Sequence, residues 1–546
     1  FSLHAGTPVG SALYGEFFQS LFFFALLIIG LSLVSGLFSF LMRQTVVVAS
    51  RHIEFDLRNR LYDHLQKLPQ RFYRQYPTGD VITRSTSDIE NVRRYIGPAL
   101  MYVTRAVVVV ATAITVMFLI SPTLTLYALI PMPFLGISVF FMARMVHSRS
   151  DAIQQQYSSL TSRVQEALSG IRVLKAYTRE EAEAGAFDLE SERYRDRMLD
   201  LARIDSAWRP VFLLLVGMAT IIVVWVGGYQ VQAGTITIGN IAEYIIYVAM
   251  MTWPVASMGF VITMVQRASA SMVRLNHIFD AEPETDIADS PTTLTEITGA
   301  LRFKDVSFRY ENSAEWAVRH VSFELPAGQT LAVVGRTGSG KSTLVEMIPR
   351  IIEPTEGGVF IDGREVRDLP VQVLRSAIGY VPQDVFLFSD TVANNIAFGE
   401  LEAPEDEIEQ AALEAELLDN VRDFPLAFET FVGERGITLS GGQKQRTSIA
   451  RALIRQPPIL ILDDSLSAVD THTERRILDQ LRAHYGKRTI VIVSHRISAV
   501  QDADLILVMD DGRIVERGNH DDLLRENGLY ADFYRKQLLE EEISAL

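Results

Sequence analysis

The sequence predicts a multi-domain chain: an all-α half that crosses a membrane, then a soluble α/β half. Three observations predict it. Hydrophobic residues make up 48% of the chain and mean hydropathy is positive at +0.16, too apolar for an ordinary soluble protein. Five stretches before residue 270 reach the roughly 20 apolar residues that a membrane helix needs. From residue 301 the pattern turns to short strands alternating with helices. A length of 546 residues is also too great for one core. The net charge of -15 argues against a general nucleic-acid binder. With no cysteine, disulfides, thiolate zinc sites and thiol nucleophiles are excluded.

The five candidate spans are 17–42, 99–120, 122–146, 210–232 and 241–265. Two connections between them, "SP" at 121–122 and "AGTITIGN" at 233–240, are short and lack Lys and Arg. The segments 43–98 and 147–209 are long and Arg-rich, which places them in the cytoplasm. Both carry helical spacing, in 51–68 and across 160–204, so spans are expected to run on as helices and turn near "FYRQYPTGD" (72–80). Arg105 lies inside a span, where the bland reading is snorkelling or pairing near the cytoplasmic boundary. Glu243 opens the last span and reads as interfacial. The domains divide as 1–280 membrane half, 281–300 linker with Pro283 and Pro291, and 301–546 soluble half.

In the soluble half, "QTLAVVG" runs into a Gly-rich turn and then the helical "LVEMIPRII". The turn Gly335, Arg336, Thr337, Gly338, Ser339, Gly340, Lys341, Ser342 fits G-x-x-x-x-G-K-[ST] in full, with Thr343 next. Its glycines let backbone N–H groups face phosphates, Lys341 reaches the outer phosphates and Ser342 offers a hydroxyl to Mg²⁺. The following helix points its positive end at the anion. "PPILILDD" is a second aliphatic strand, ending in Asp463 and Asp464. An acid at such a strand tip supports Mg²⁺, and a neighbour positions or activates the attacking water. Between the two, Leu439, Ser440, Gly441, Gly442 and Gln443 form another possible anion nest at a helix start. One chain has little use for two phosphate cradles on one nucleotide; two chains packed head to tail would use both.

The ordered set of the phosphate loop, "YVPQD", "LSGGQ", "ILILDD", "SAVD" and "SHR" resembles the ATP-binding-cassette (ABC) superfamily. The membrane half is similar to the exporter branch, whose two intracellular loops "YPTGDVITRSTSDIENV" (76–92) and "EALSGIRVLKAY" (166–177) resemble. The resemblance implies six spans before each cassette, so a first span and an elbow helix are expected upstream of Phe1. It implies ATP and Mg²⁺, with Tyr310 stacking on adenine. Gln383 would bind Mg²⁺ beside Ser342, with Asp463 acting through water. Ser440 and Gly442 would contact the γ-phosphate on the opposite cassette, Asp470 would close the loop between the sites, and His495 would contact the γ-phosphate. Glu434 lies in the stretch similar to the exporter cross-link. Expected partners are a second half-transporter, membrane lipid and a small hydrophobic, lipid or peptide substrate, and no nucleic acid; the expected location is a bacterial cytoplasmic membrane.

One position departs from the family pattern. Asp464 stands where a glutamate serves as general base. It is shorter by one C–C bond, about 1.5 Å, while a base must lie within about 2.6–3.2 Å of the proton it takes. A misplacement near 1 Å can cost about 10²-fold in rate. The expectation is an ATP-driven exporter subunit with a slow site of its own, paired with a partner that carries the glutamate. The alternatives are a homodimer that uses Asp464 as base, and a non-transporting regulator. An importer is disfavoured by the fused order of spans and cassette.

Overall fold

The computed structural model describes residues 8–284, 297–311, 313–433, 436, 438–482 and 488–545. Glu434 falls outside them. The described chain forms two compact units, one of residues up to Leu68 with Tyr76–Glu282, the other of Pro69–Gln75 with Pro283 onward.

The first unit is helical, and five of its helices are long and apolar enough to cross a membrane: Phe17–Gln66, Thr78–Ile120, Pro122–Ser169, Glu180–Gln232 and Ile238–Phe279. The Glu180–Gln232 helix has 53 residues, about 80 Å at 1.5 Å per residue, against a hydrocarbon layer of about 30 Å. The spans therefore run on well past the bilayer, as the Arg-rich segments predict. This helix and Ile238–Phe279 each carry an internal proline, Pro210 and Pro254.

Their ends follow from sequence chemistry. The "SP" connection is a single extended residue, Ser121, whose hydroxyl accepts from Leu124 N and caps the helix that Pro122 begins. In "AGTITIGN", Thr237 and Asn240 exchange side-chain bonds in a capping box. Under these turns Tyr244 is fully buried, its hydroxyl 2.8 Å from Thr125 Oγ1 and 2.9 Å from Ser121 O. Glu243 accepts from Tyr247 and Asn240 on its own helix. Arg105 lies on an exposed face of the helix Leu100–Ile120.

On the cytoplasmic side the helical stretch 160–204 turns within the segment 166–177 that resembles an intracellular loop. The helix stops at Gly170, a short helix Ile171–Ala176 follows, and the chain reverses at Thr178, which takes φ +53°. Gly170 ends the first arm, and the polar run 178–181 lies at the reversal. The two arms are tied by Arg163 on Glu183 (2.7 Å) and by the buried Gln156 on Glu190. Near 72–80 the turn is built from the helix Gln70–Gln75 and a fresh start at Thr78. Two π-bulges, Arg84–Asp88 and Tyr95–Ala99, then interrupt the ascent. The first aims Asp88 at Ser271 (2.8 Å) and Arg274 (2.8 Å) on the last long helix.

In the second unit the strands are β1 Leu301–Phe308, β2 Val318–Leu325, β3 Thr330–Gly335, β4 Glu356–Ile361, β5 Arg364–Glu365, β6 Ile378–Val381, β7 Asp390–Thr391, β8 Phe431–Val432, β9 Ile459–Asp463, β10 Thr489–Val493, β11 Leu505–Asp510 and β12 Arg513–Gly518. A four-stranded antiparallel sheet has the order β2-β1-β4-β5. The main sheet runs β12-β11-β3-β10-β9-β6, parallel throughout except for β12. β3, β9 and β10 are buried at every residue, as unbroken aliphatic runs require.

The Asp88 carboxylate is 4% exposed and Arg274 44%, so the pair is partly screened. Asp88→Ala should cost about 1–3 kcal/mol, seen as an earlier thermal transition in detergent. Asp63→Ala, which breaks the exposed pair with Lys67, should stay within about 0.5 kcal/mol.

Candidate nucleotide site

The strand order builds the site. β3, β10, β9 and β6 are adjacent and parallel, so their C-terminal ends lie side by side, where α/β sheets place ligands. Past those ends come the loop 335–342, Ser494–His495, Asp463–Asp464 and Gln383. Pairing of Val493 with both Val333 and Asp463 sets these tips level.

After β3, the glycines are required by geometry. Gly340 has φ +94°, and a Cβ there would lie 2.2 Å from Ala317 O. Gly335 would meet Met509 O at the same 2.2 Å. Lys341 starts the next helix and turns its ammonium back onto Gly335 O (3.0 Å) and Arg336 O (2.8 Å). Burial lowers its pKa. The Ser339 hydroxyl is buried without a hydrogen-bond partner, a polar atom left for something else to meet. Thr337 and Gly338 lie exposed at the crest.

Ser342 Oγ donates to Asp463 Oδ1 at 3.0 Å. Asp463 is 2% exposed, and burial pushes its carboxyl up to about 6. Asp464 begins the turn in the left-handed region at φ +46°, a conformation Asp tolerates better than most residues. Its backbone N–H donates to Val493 O (2.9 Å) and its carbonyl accepts from Ser467 Oγ (2.9 Å). One carboxylate oxygen meets His495 Nδ1 at 2.8 Å; the other faces Gln383 Nε2 at 3.5 Å. The Asp464 hydrogen bond raises the His495 pKa. Two carboxylates face a single ammonium here, so the donor set fits a divalent cation. Ser342 could hold Mg²⁺ directly, with Asp463 and Gln383 nearby, because Mg²⁺ brings phosphate and water as its other ligands.

Tyr310 is also assembled onto this loop: its hydroxyl lies 2.9 Å from Thr343 Oγ1. The other predicted residues stand apart. Ser440 caps the helix Gly441–Leu453 through a capping box with Gln443. Leu439 is buried beneath it, and Gly442 lies against Ala468. Among the described residues no hydrogen bond joins 439–443 to the phosphate loop. Asp470 accepts from Thr473 N (2.9 Å) and caps the helix Thr471–Arg482.

Sequence reasoning missed the residues that fix these parts. Arg496 donates to Ser467 O, Val469 O and Glu474, clamping the loop after Asp464. Gln445 holds the same loop through Ala468 N (2.9 Å) and Ser467 Oγ. Arg74, from the turn between the first two spans, lies over the Tyr310 ring. The "SHR" motif flagged the place of Arg496 but not its task; nothing local marks Arg74.

Residues 6–255 match the family described as the ABC transporter transmembrane region, and residues 318–467 the ABC transporter family. A probable multidrug resistance ABC transporter ATP-binding/permease protein of Bacillus subtilis is 39% identical, over 88% of this chain and 83% of its own length. The chain belongs to the ABC transporter family. A multidrug resistance-like ATP-binding protein of Escherichia coli is 37% identical over 93% of the chain and 86% of its own. An ATP-dependent lipid A-core flippase of Vibrio cholerae is 34% identical, covering 94% and 88%. Among solved structures, a bacterial Atm1-family ABC exporter with ATP bound superposes with a TM-score of 0.76 at 29% identity, covering 90% of this chain and 86% of that one. This ABC transporter is thus a multi-pass protein of the cytoplasmic membrane with an ATP-binding cassette, and it couples ATP hydrolysis to transport.

The Asp463 carboxyl is raised from 3.8 to about 6, so the folded chain holds that proton more tightly than the unfolded chain. The contribution of this group to stability is full below pH 3.8, declines as only the unfolded state ionises, and by pH 6 is lower by about 2–3 kcal/mol. Asp463→Asn should therefore raise the thermal midpoint of the cassette at pH 7.5 without nucleotide or divalent cation. Calorimetry across pH should show that gain vanish toward pH 4.

Proposed function

We propose that this ABC transporter exports hydrophobic or amphipathic substrates, drugs, lipids or peptides, as the slow-site subunit of a heterodimer. Asp464 carries the reading. It occupies the glutamate position of the family, one carboxylate oxygen is already engaged by His495, and its backbone is pinned on both sides. A fixed backbone leaves a short side chain no means of moving toward the water that attacks the γ-phosphate. The turn 440–443 is intact and capped, fit to complete a fast site on a partner's phosphate loop. The similarity to a probable multidrug resistance transporter and to a lipid A-core flippase supports an apolar cargo.

In this reading Lys341 and the N–H groups of 335–342 hold the outer phosphates, and Tyr310 stacks the base. Mg²⁺ would be held by Ser342 and Gln383, with Asp463 acting through water, and would supply charge neutralisation on those phosphates. Ser440 and Gly442 grip the γ-phosphate bound by the partner, and Asp470 closes the loop between the sites. Closure of the two cassettes would reach the spans through the turns at 69–75 and 170–178.

The 2.8 Å Asp464–His495 contact favours a second reading, a homodimer in which Asp464 acts as base through one more water. The two part on turnover. The purified chain alone should hydrolyse little ATP. In the pair, Asp464→Ala should change the rate less than about twofold, and Gly442→Asp should lower it at least about 10²-fold. Brisk ATPase from this chain alone, lost in Asp464→Ala and raised in Asp464→Glu, would establish the homodimer instead.

A further inference from the structure

The helix Gln70–Gln75 is joined in sequence to the spans but packs within the cassette's unit. Its last two residues contact Tyr310 and the residue after it. Arg74 places its guanidinium carbon 4.8 Å from the Tyr310 ring centroid and donates to Glu346 Oε2 at 3.0 Å. Gln75 donates to Glu311, the neighbour of Tyr310, at 3.3 Å. Glu346 ends the helix that Lys341 begins, so Arg74 bridges the aromatic ring and the phosphate-loop helix. Phe308 stands perpendicular to Tyr310 at 4.8 Å, and Thr343 anchors the hydroxyl. These contacts fix the ring and leave its flat faces as its means of recognition.

We infer that Arg74 is a latch that competes with a purine base for the face of Tyr310, so that base stacking releases the 70–75 helix from its hold on the ring. The inference rests on the nucleotide-site reading above. A planar cation over an aromatic ring fills the layer a stacked base would take, and the ring's electron-rich face attracts it. A base stacking on that same face would have to break the contact. A ligand with phosphates and no base has no reason to break it. The helix at the end of the first long span would thereby respond to the base separately from the phosphates. Arg74 is a positioning residue; it touches neither the phosphates nor the reacting atoms.

The test is equilibrium binding of ATP and of tripolyphosphate to the full chain in lipid nanodiscs. Arg74→Ala should tighten ATP binding about three- to tenfold and leave tripolyphosphate unchanged. Arg74→Lys, which keeps a charge for Glu346 but loses the flat stack, should fall between. In Tyr310→Ala, the Arg74→Ala change should have no further effect on ATP. Equal or weaker ATP binding by Arg74→Ala, in a chain whose ATP binding is still lost with Lys341→Ala, overturns the latch alone. Indifference of ATP binding to Lys341→Ala would remove the nucleotide-site reading and the latch with it.

Discussion

A carboxylate held out of water at the tip of β9 is the constraint on which the cassette depends. Asp463 sits between two parallel strands, where neither backbone nor side chain can retreat to solvent. Its hydrogen bond from Ser342 only partly offsets the cost of burial. The sheet tolerates that cost because the rest of β9 and the neighbouring β10, all but Thr489 aliphatic, are buried. An acid so placed is poorly suited to stability and well suited to receiving a cation, which is how a fold reveals that an element was kept for binding.

Much of this was legible in the sequence because it is local. The phosphate loop declares itself through glycines whose positive φ the fold requires, and the β9 strand through an unbroken aliphatic run. The short turns at Ser121 and Thr237 follow from a capping residue placed before a helix. What stayed hidden is non-local. Arg74 and Tyr310, or Asp88 and Arg274, are brought together by tertiary folding across long stretches of chain, and no spacing rule connects them. The hairpin at Gly170–Thr178 was legible as a loop in the segment 166–177, but not the point of reversal, because Thr178 is not a glycine yet takes the left-handed backbone.

The loop after Asp464 gives the catalytic position its character. Gln445 reaches it from the helix of the capped turn, and Arg496 from the segment that follows His495. The second acid, the histidine and the helix of the capped turn are therefore tied through one hydrogen-bonded loop. In such a frame the length of one side chain cannot be made up by a small adjustment of its neighbour, since each neighbour is fixed by a third group.

Pro210 and Pro254 set a further condition on the long helices. Each removes one backbone donor and one rung of the helical ladder, and each stands alone in the interior of its helix. A rod of otherwise continuous hydrogen bonds is stiff, so strain collects where a rung is missing. Torque entering at the cytoplasmic end would thus be expressed as a swivel at two fixed latitudes, with straight segments above and below. These two helices would behave as jointed struts, with the joints at Pro210 and Pro254.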